Sequence, residues 1–165
     1  SIQVRSTPGK GTRFRVILPA AGLEAQAVQD QDRTISVRGE GRRVLVVDDE
    51  EAMAHALKDL LASLGFDTLS ATNGREAIES YRESRPDLVI LDRNMPGMDG
   101  VVCMEHILAA DAEARVVLLS GYDQDGPHGI DHRTRRSIAG YLTKPIEMSE
   151  LGRLLEDLFE DPGPD

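Results

Sequence analysis

Four short apolar runs punctuate the chain from residue 43 onward, and each stops at a polar residue. Arg43–Val47 ends at Asp48-Asp49-Glu50, Leu88–Leu91 at Asp92, Val116–Leu119 at Ser120, and the shorter Tyr141–Thr143 at Lys144. Continuous runs of this length, rich in Val, Ile and Leu, suit strands buried on both faces. The segments between them repeat at helical spacing. Met53, Leu57, Leu60, Leu61 and Leu64 form an i, i+4, i+7, i+8, i+11 stripe closed by Gly65. Gly74–Arg82 turns Ala77, Ile78 and Tyr81 inward, a helix runs from about Val101 to Ala110, and Leu151, Leu154, Leu155, Leu158 and Phe159 stripe the last one. A weaker strand, Phe66–Ala71, completes five strand–helix units. Such units imply a parallel sheet with right-handed crossovers and helices on both faces.

One unit breaks the pattern. From Tyr122 to Ala139 the apolar residues are Tyr122, Ile130, Ile138 and Ala139, and Gly126, Pro127 and Gly129 fall where a helix would start. Interior Gly costs about 1 kcal/mol and interior Pro about 3 kcal/mol. The pattern predicts loop over 123–130 and at most two helical turns after Asp131 as N-cap, with Ile130, Thr134 and Ile138 inward.

Charge divides the chain. Residues 1–43 hold eight Lys/Arg and four Asp/Glu, a net of +4, and residues 44–165 hold eleven against twenty-five, a net of −14. The overall −10 argues against nonspecific nucleic-acid binding, which depends on cations neutralising phosphates. No apolar run approaches the ~18 residues of a membrane span. The single cysteine, Cys103, builds no disulfide framework and reads as a small buried hydrophobe, so a reducing cytoplasm is expected. His128 and His132 have i, i+4 spacing, but Pro127 and Gly129 spoil the helix that a metal pair would use.

In open parallel sheets ligands gather at the carboxyl ends of strands. Asp48, Asp49, Asp92, Ser120 and Lys144 all fall at such ends. Clustered carboxylates repel unless a cation sits among them, and Mg²⁺ is the hard, oxygen-seeking choice. One carboxylate can then act as nucleophile toward a phosphoryl group, with a hydroxyl and an ammonium holding its remaining oxygens.

Four blocks in this order, Val44–Glu50, Leu91–Gly100 (Leu-Asp-Arg-Asn-Met-Pro-Gly-Met-Asp-Gly), Leu119-Ser120-Gly121 and Tyr141–Pro145, resemble the signatures of response-regulator receiver domains of two-component signalling. The resemblance covers about residues 43–160. It implies a flavodoxin-like (βα)5 doubly wound sheet of strand order 2-1-3-4-5. It also implies Asp92 as phosphoacceptor, with Mg²⁺ held by Asp49, Asp92 and the Asn94 backbone carbonyl, and by Asp48 through water. Ser120 and Lys144 would contact the phosphoryl group, with Ser120 and Tyr141 as switch residues that alter the face made by the fourth helix, the fifth strand and the last helix. The Lys144–Pro145 peptide is expected to be cis. The implied partner is a histidine kinase or histidine-phosphotransfer protein acting as phosphodonor, with no nucleic acid and no membrane contact.

The basic end adds a separate signal. Ile2–Ser6 and Arg13–Leu18 alternate around Thr7-Pro8-Gly9-Lys10-Gly11-Thr12, as in a β-hairpin. Gly9-Lys10-Gly11-Thr12 lacks the spacing of a phosphate loop. Residues 1–19 resemble the closing hairpin of a histidine-kinase ATP-binding domain, ending in Gly-Thr-x-Phe and Leu-Pro. With no Met at the start and no upstream ATP-site motifs, the expectation is the C-terminal part of a hybrid histidine kinase. Its parts are a hairpin remnant (1–19), a flexible tether (20–42), a receiver (43–160) and a tail (161–165). This fragment would itself be no enzyme, whereas its parent would be an ATP-dependent protein histidine kinase. Two other readings compete: a receiver that regulates its own kinase by docking without phosphate, and an aspartyl phosphatase of the haloacid type. The latter wants a second Asp two positions after the nucleophile, where Asn94 stands.

Overall fold

The computed structural model describes residues 2–7, 11–16, 37–122, 124 and 129–159. The chain divides into two compact units, Ser1–Arg33 and Thr34–Asp165.

The described residues of the first unit pair as two antiparallel strands. β1 (Ile2–Thr7) pairs antiparallel with β2 (Gly11–Val16), in a register running from Ile2 opposite Val16 to Thr7 opposite Gly11. The Pro-Gly turn between them and residues 17–36, most of the expected tether, lie outside the described residues.

The second unit is a five-stranded parallel sheet. Its strands are β3 (Arg43–Val47), β4 (Asp67–Ala71), β5 (Leu88–Asp92), β6 (Val116–Ser120) and β7 (Gly140–Thr143), in the order β4-β3-β5-β6-β7. Counted within the unit this is 2-1-3-4-5, the flavodoxin-like order. The apolar runs explain the layering. β5 and β6 are buried at every position, and successive side chains alternate between two cores. Val44, Val46, Leu88, Ile90, Val117 and Leu119 face α1 (Glu51–Ser63) and α5 (Met148–Phe159). Leu45, Val47, Val89, Leu91, Val116 and Leu118 face α2 (Gly74–Ser84) and α3 (Gly100–Ala110).

The helix stripes land where the pattern put them. Leu57 and Leu61 are buried in α1, Ala77 and Tyr81 in α2, Leu151, Leu155 and Phe159 in α5. Gly65 follows α1 at φ +88°, a left-handed conformation that a side chain would strain. α4 is as short as the sequence predicts, while most of the loop expected over 123–130 (residues 123 and 125–128) lies outside the described residues. The helix spans only His132–Ser137, and the Asp131 side chain accepts the Thr134 N–H at 2.7 Å to cap it. Ile130 and Thr134 are buried beneath it.

Residues 37–42, assigned to the tether by their polar composition, pack on the sheet domain. Val37 is 4% exposed and joins the core containing Phe66 and Phe159. Gly39 N–H donates to Leu64 O (2.8 Å) and Gly41 N–H to Gly65 O (3.0 Å). A Cβ on Gly39 would collide with the Phe66 backbone nitrogen. The packed domain therefore begins before residue 43. No helix among the described residues is long and apolar enough to cross a membrane.

Candidate phosphoacceptor site

The carboxyl edge of the sheet carries the chemistry. β3 delivers Asp48 and Asp49, β5 ends on Asp92, β6 on Ser120, and Lys144 follows β7. Because all five strands run parallel and in register, these residues meet at one end. One carboxylate oxygen from each of Asp48, Asp49 and Asp92 lies within 4.8 Å of the others. Asp48 and Asp92 are buried (1% and 4% exposed), whereas Asp49 is open to solvent.

Lys144 balances part of this charge. Its Nζ donates to Asp48 Oδ2 at 2.7 Å and lies 3.2 Å from Asp92 Oδ1. The other Asp48 oxygen, Oδ1, accepts the Glu50 N–H at 2.9 Å. Burial pushes the Asp92 carboxyl above the usual range. The Lys144 charge and hydrogen bond and the Asn94 N–H only partly offset this, and the Asp48 charge adds to the rise. For Lys144 burial acts against the charge, but hydrogen bonds and charges from Asp48 and Asp92 outweigh it, so its pKa is raised. The Lys144–Pro145 peptide is cis, and Lys144 N–H donates to Ser120 O at 2.7 Å, joining the ends of β6 and β7.

Ser120 is fully buried, and its Oγ accepts the Tyr122 N–H at 3.2 Å. Gly121 is exposed, and a Cβ there would meet no atom within 4 Å. Tyr141, the expected switch aromatic, is half-buried, and its hydroxyl donates to Tyr122 O at 2.6 Å. In the sequence Tyr122 stands out only as an apolar residue. Its role here rests on the backbone carbonyl, which every residue type has, so composition held no signal for it. Asn94 is exposed, two residues beyond Asp92.

The donor set fits a hard divalent cation. All three side chains offer oxygen, and one ammonium leaves three carboxylates undercompensated. Lys144 approaches both Asp48 and Asp92, so Asp49, open to solvent at this edge, is the best placed for direct ligation. Among the described residues this is the one such cluster of His, Cys, Asp and Glu. His128 lies outside them. Cys103 is buried with its thiol pushed up to about 11 by desolvation, which keeps it an inert thiol.

The model of the response regulator receiver domain matches residues 44–156. The chain belongs to this family. Chemotaxis protein CheY of Thermotoga maritima is 34% identical over 112 residues, covering 67% of this chain and 92% of that protein. Among solved structures, the response regulator TrrA of Thermotoga maritima in complex with Mg²⁺-BeF is similar at TM-score 0.63 and 30% identity, over 72% of this chain and 99% of that one. A CheX–CheY–BeF3–Mg²⁺ complex from Borrelia burgdorferi matches at TM-score 0.64 and 27% identity, over 73% and 90%. The domain is thus a CheY-like receiver of two-component signalling.

Proposed function

We propose that this receiver takes a phosphoryl group from a phosphohistidine onto Asp92 in a Mg²⁺-dependent reaction. The observation that carries the reading is the buried Asp92 carboxylate beside Asp48, Asp49 and the Lys144 ammonium at one strand edge. An Asp92 oxygen attacks phosphorus, the P–N bond to imidazole breaks, and the departing imidazole nitrogen keeps the bond's electron pair and takes a proton. Asp49, Asp92 and the Asn94 carbonyl would hold the cation, with Asp48 nearby as an outer ligand. The cation supplies charge neutralisation for the carboxylates and the phosphoryl oxygens. Lys144 turns from its two carboxylates toward the phosphoryl group, and Ser120, whose Oγ accepts the Tyr122 N–H, has its own O–H to donate to a phosphoryl oxygen. Tyr141, bonded to the Tyr122 carbonyl, registers that change and passes it to the face made by α4, β7 and α5.

The hairpin unit supports a wider context. Its antiparallel pair and the Gly-Thr-x-Phe pattern fit the end of a histidine-kinase ATP-binding domain, so the chain is read as part of a hybrid histidine kinase working in the cytoplasm. Here the chain acts as phosphoacceptor, and its parent as the ATP-dependent kinase. The structures of relatives bound to Mg²⁺ with a beryllium fluoride lend weight to the metal and the phosphoryl pocket.

Acetyl phosphate tests the reaction without a partner. With Mg²⁺, the chain should acquire acid-stable, base-labile label, and Asp92→Asn should lose it. Asp49→Ala should lose metal affinity while keeping its melting profile. Undiminished labelling of Asp92→Asn would sink the assignment, and no labelling of the parent chain would favour a docking receiver that works without phosphate.

A further inference from the structure

The short α4 leaves, on its α3 side, a surface that the phosphoacceptor reading does not use. α4 has six residues where the other helices of the domain have eleven to thirteen. At 1.5 Å per residue it runs about 9 Å beside an α3 of about 16 Å. A hollow of 340 Å³ remains between the two, lined by Met104, Glu105 and Leu108 of α3 and by Arg133, Thr134 and Ser137 of α4. A second hollow of 560 Å³ lies against His132, Arg133, Arg136 and Ser137. Arg133 and Ser137 line both, so the two adjoin across α4.

Charge sets this surface apart. Residues 44–165 carry a net −14, yet α4 holds three arginines and no acid. Arg133 and Arg136 are exposed and in no salt bridge among the described residues. The nearby Asp131 carboxylate caps the Thr134 N–H and also attracts Arg133, though without a salt bridge to it. Arg135 differs, since it donates to Gln124 O and belongs to the fold. The result is a partly apolar recess beside two outward guanidiniums, with Glu105 on the far wall.

We infer that the α3–α4 surface docks a protein segment that presents acidic side chains next to one large apolar side chain. The apolar group enters the recess against Met104 and Leu108, and the acids reach Arg133 and Arg136. A nucleic acid is the poorer occupant, because it would bring one phosphate per about 1.7 Å of duplex to a strongly acidic domain with two cations to receive it. The inference goes beyond phosphoacceptance and does not depend on it.

The full chain, ¹⁵N-labelled, is titrated with a helical peptide carrying one central Leu flanked by Glu at i±3 and i±4, and with its Lys-for-Glu counterpart. The Glu peptide should shift amides within 104–109 and 132–137. Binding should weaken at least ~10-fold in Arg133→Glu/Arg136→Glu and fall as salt rises. The double variant should keep its melting temperature and its acetyl-phosphate labelling, which shows that the site was lost rather than the fold. The inference is overturned if the Glu peptide does not bind at millimolar concentration, if its shifts map elsewhere, or if the Lys peptide binds as well. It is equally overturned if charge reversal leaves affinity unchanged, if a DNA duplex competes for the same amides, or if these amides shift with protein concentration alone, which would mark contact between copies.

Discussion

Lys144 holds two buried carboxylates, and this is where the residue scale is most exposed to test. Removing it in Lys144→Ala leaves Asp48 and Asp92 uncompensated. Breaking a buried ion pair costs about 3 kcal/mol or somewhat less for a lysine that is partly open to water. The variant should melt lower in EDTA, recover part of the loss in Mg²⁺, and label poorly with acetyl phosphate. An unchanged melting temperature would show that the ammonium is not what stabilises the pair. Gly121→Val makes a separate prediction. Space is open around the position, so the fold should survive, while a bulky side chain there should slow transfer from a protein donor more than from acetyl phosphate. Equal slowing with both donors would contradict the view that Gly121 leaves room for a partner. The residue types at this site were legible because each ends an apolar run. The contacts that fix them were not: Glu50 N–H on Asp48 and Tyr122 O on Tyr141 are backbone bonds, on which side-chain identity is silent.

At the scale of elements, continuous Val/Ile/Leu runs made β3, β5 and β6 readable, because burial on both faces leaves no polar position to confuse the period. The Gly and Pro of residues 126–129 made the shortness of α4 readable for the opposite reason. The packing of residues 37–42 was not legible, since a single Val37 among Arg, Gly and Glu carries no period. Gly39→Ala tests it. The added methyl meets the Phe66 backbone, which cannot move without shifting β4, so urea unfolding should show a loss of about 1–3 kcal/mol. A neutral substitution would show that these residues merely lie against the domain. A second element-level test joins α2 to α3. Tyr81 OH donates to Asp111 Oδ2 at 2.9 Å, and Arg85 reaches the same oxygen at 2.8 Å. Burial first, then the Asp111 hydrogen bond and charge, push Tyr81 up from 10.0 to about 12. The fold therefore favours the neutral phenol. That contribution is whole below pH 10 and is lost as pH rises from 10 toward 12. Tyr81→Phe should flatten this alkaline loss in thermal melts, and an unchanged alkaline limb would contradict the cause. Asp111, held below the usual carboxylate range by the Tyr81 hydrogen bond first, acts in the opposite sense. Its contribution is present above the unfolded carboxylate pKa and is lost as pH falls through the lowered folded value.

For the whole molecule, the alternation of strand and helix dictates a parallel sheet, but not the order of its strands. The 2-1-3-4-5 order rested on the resemblance, and the structure and its relatives agree with it. That order puts β3 and β5 side by side with β6 next to them, which is why residues 48, 92 and 120 share one edge although the chain separates them widely. The shift of charge at residue 43 coincides roughly with the division into two units and reflects their separate compositions. We propose that this edge carries one phosphoryl group, and that Asp92 takes it. Borohydride reduction of the chain after exposure to Mg²⁺ and acetyl phosphate, followed by peptide mass mapping, reads the acceptor directly. Reduction of an aspartyl phosphate leaves homoserine in place of Asp. Homoserine is expected at position 92, dependent on Mg²⁺ and on phosphodonor. Homoserine at 48 or 49, or its formation without Mg²⁺, would contradict it.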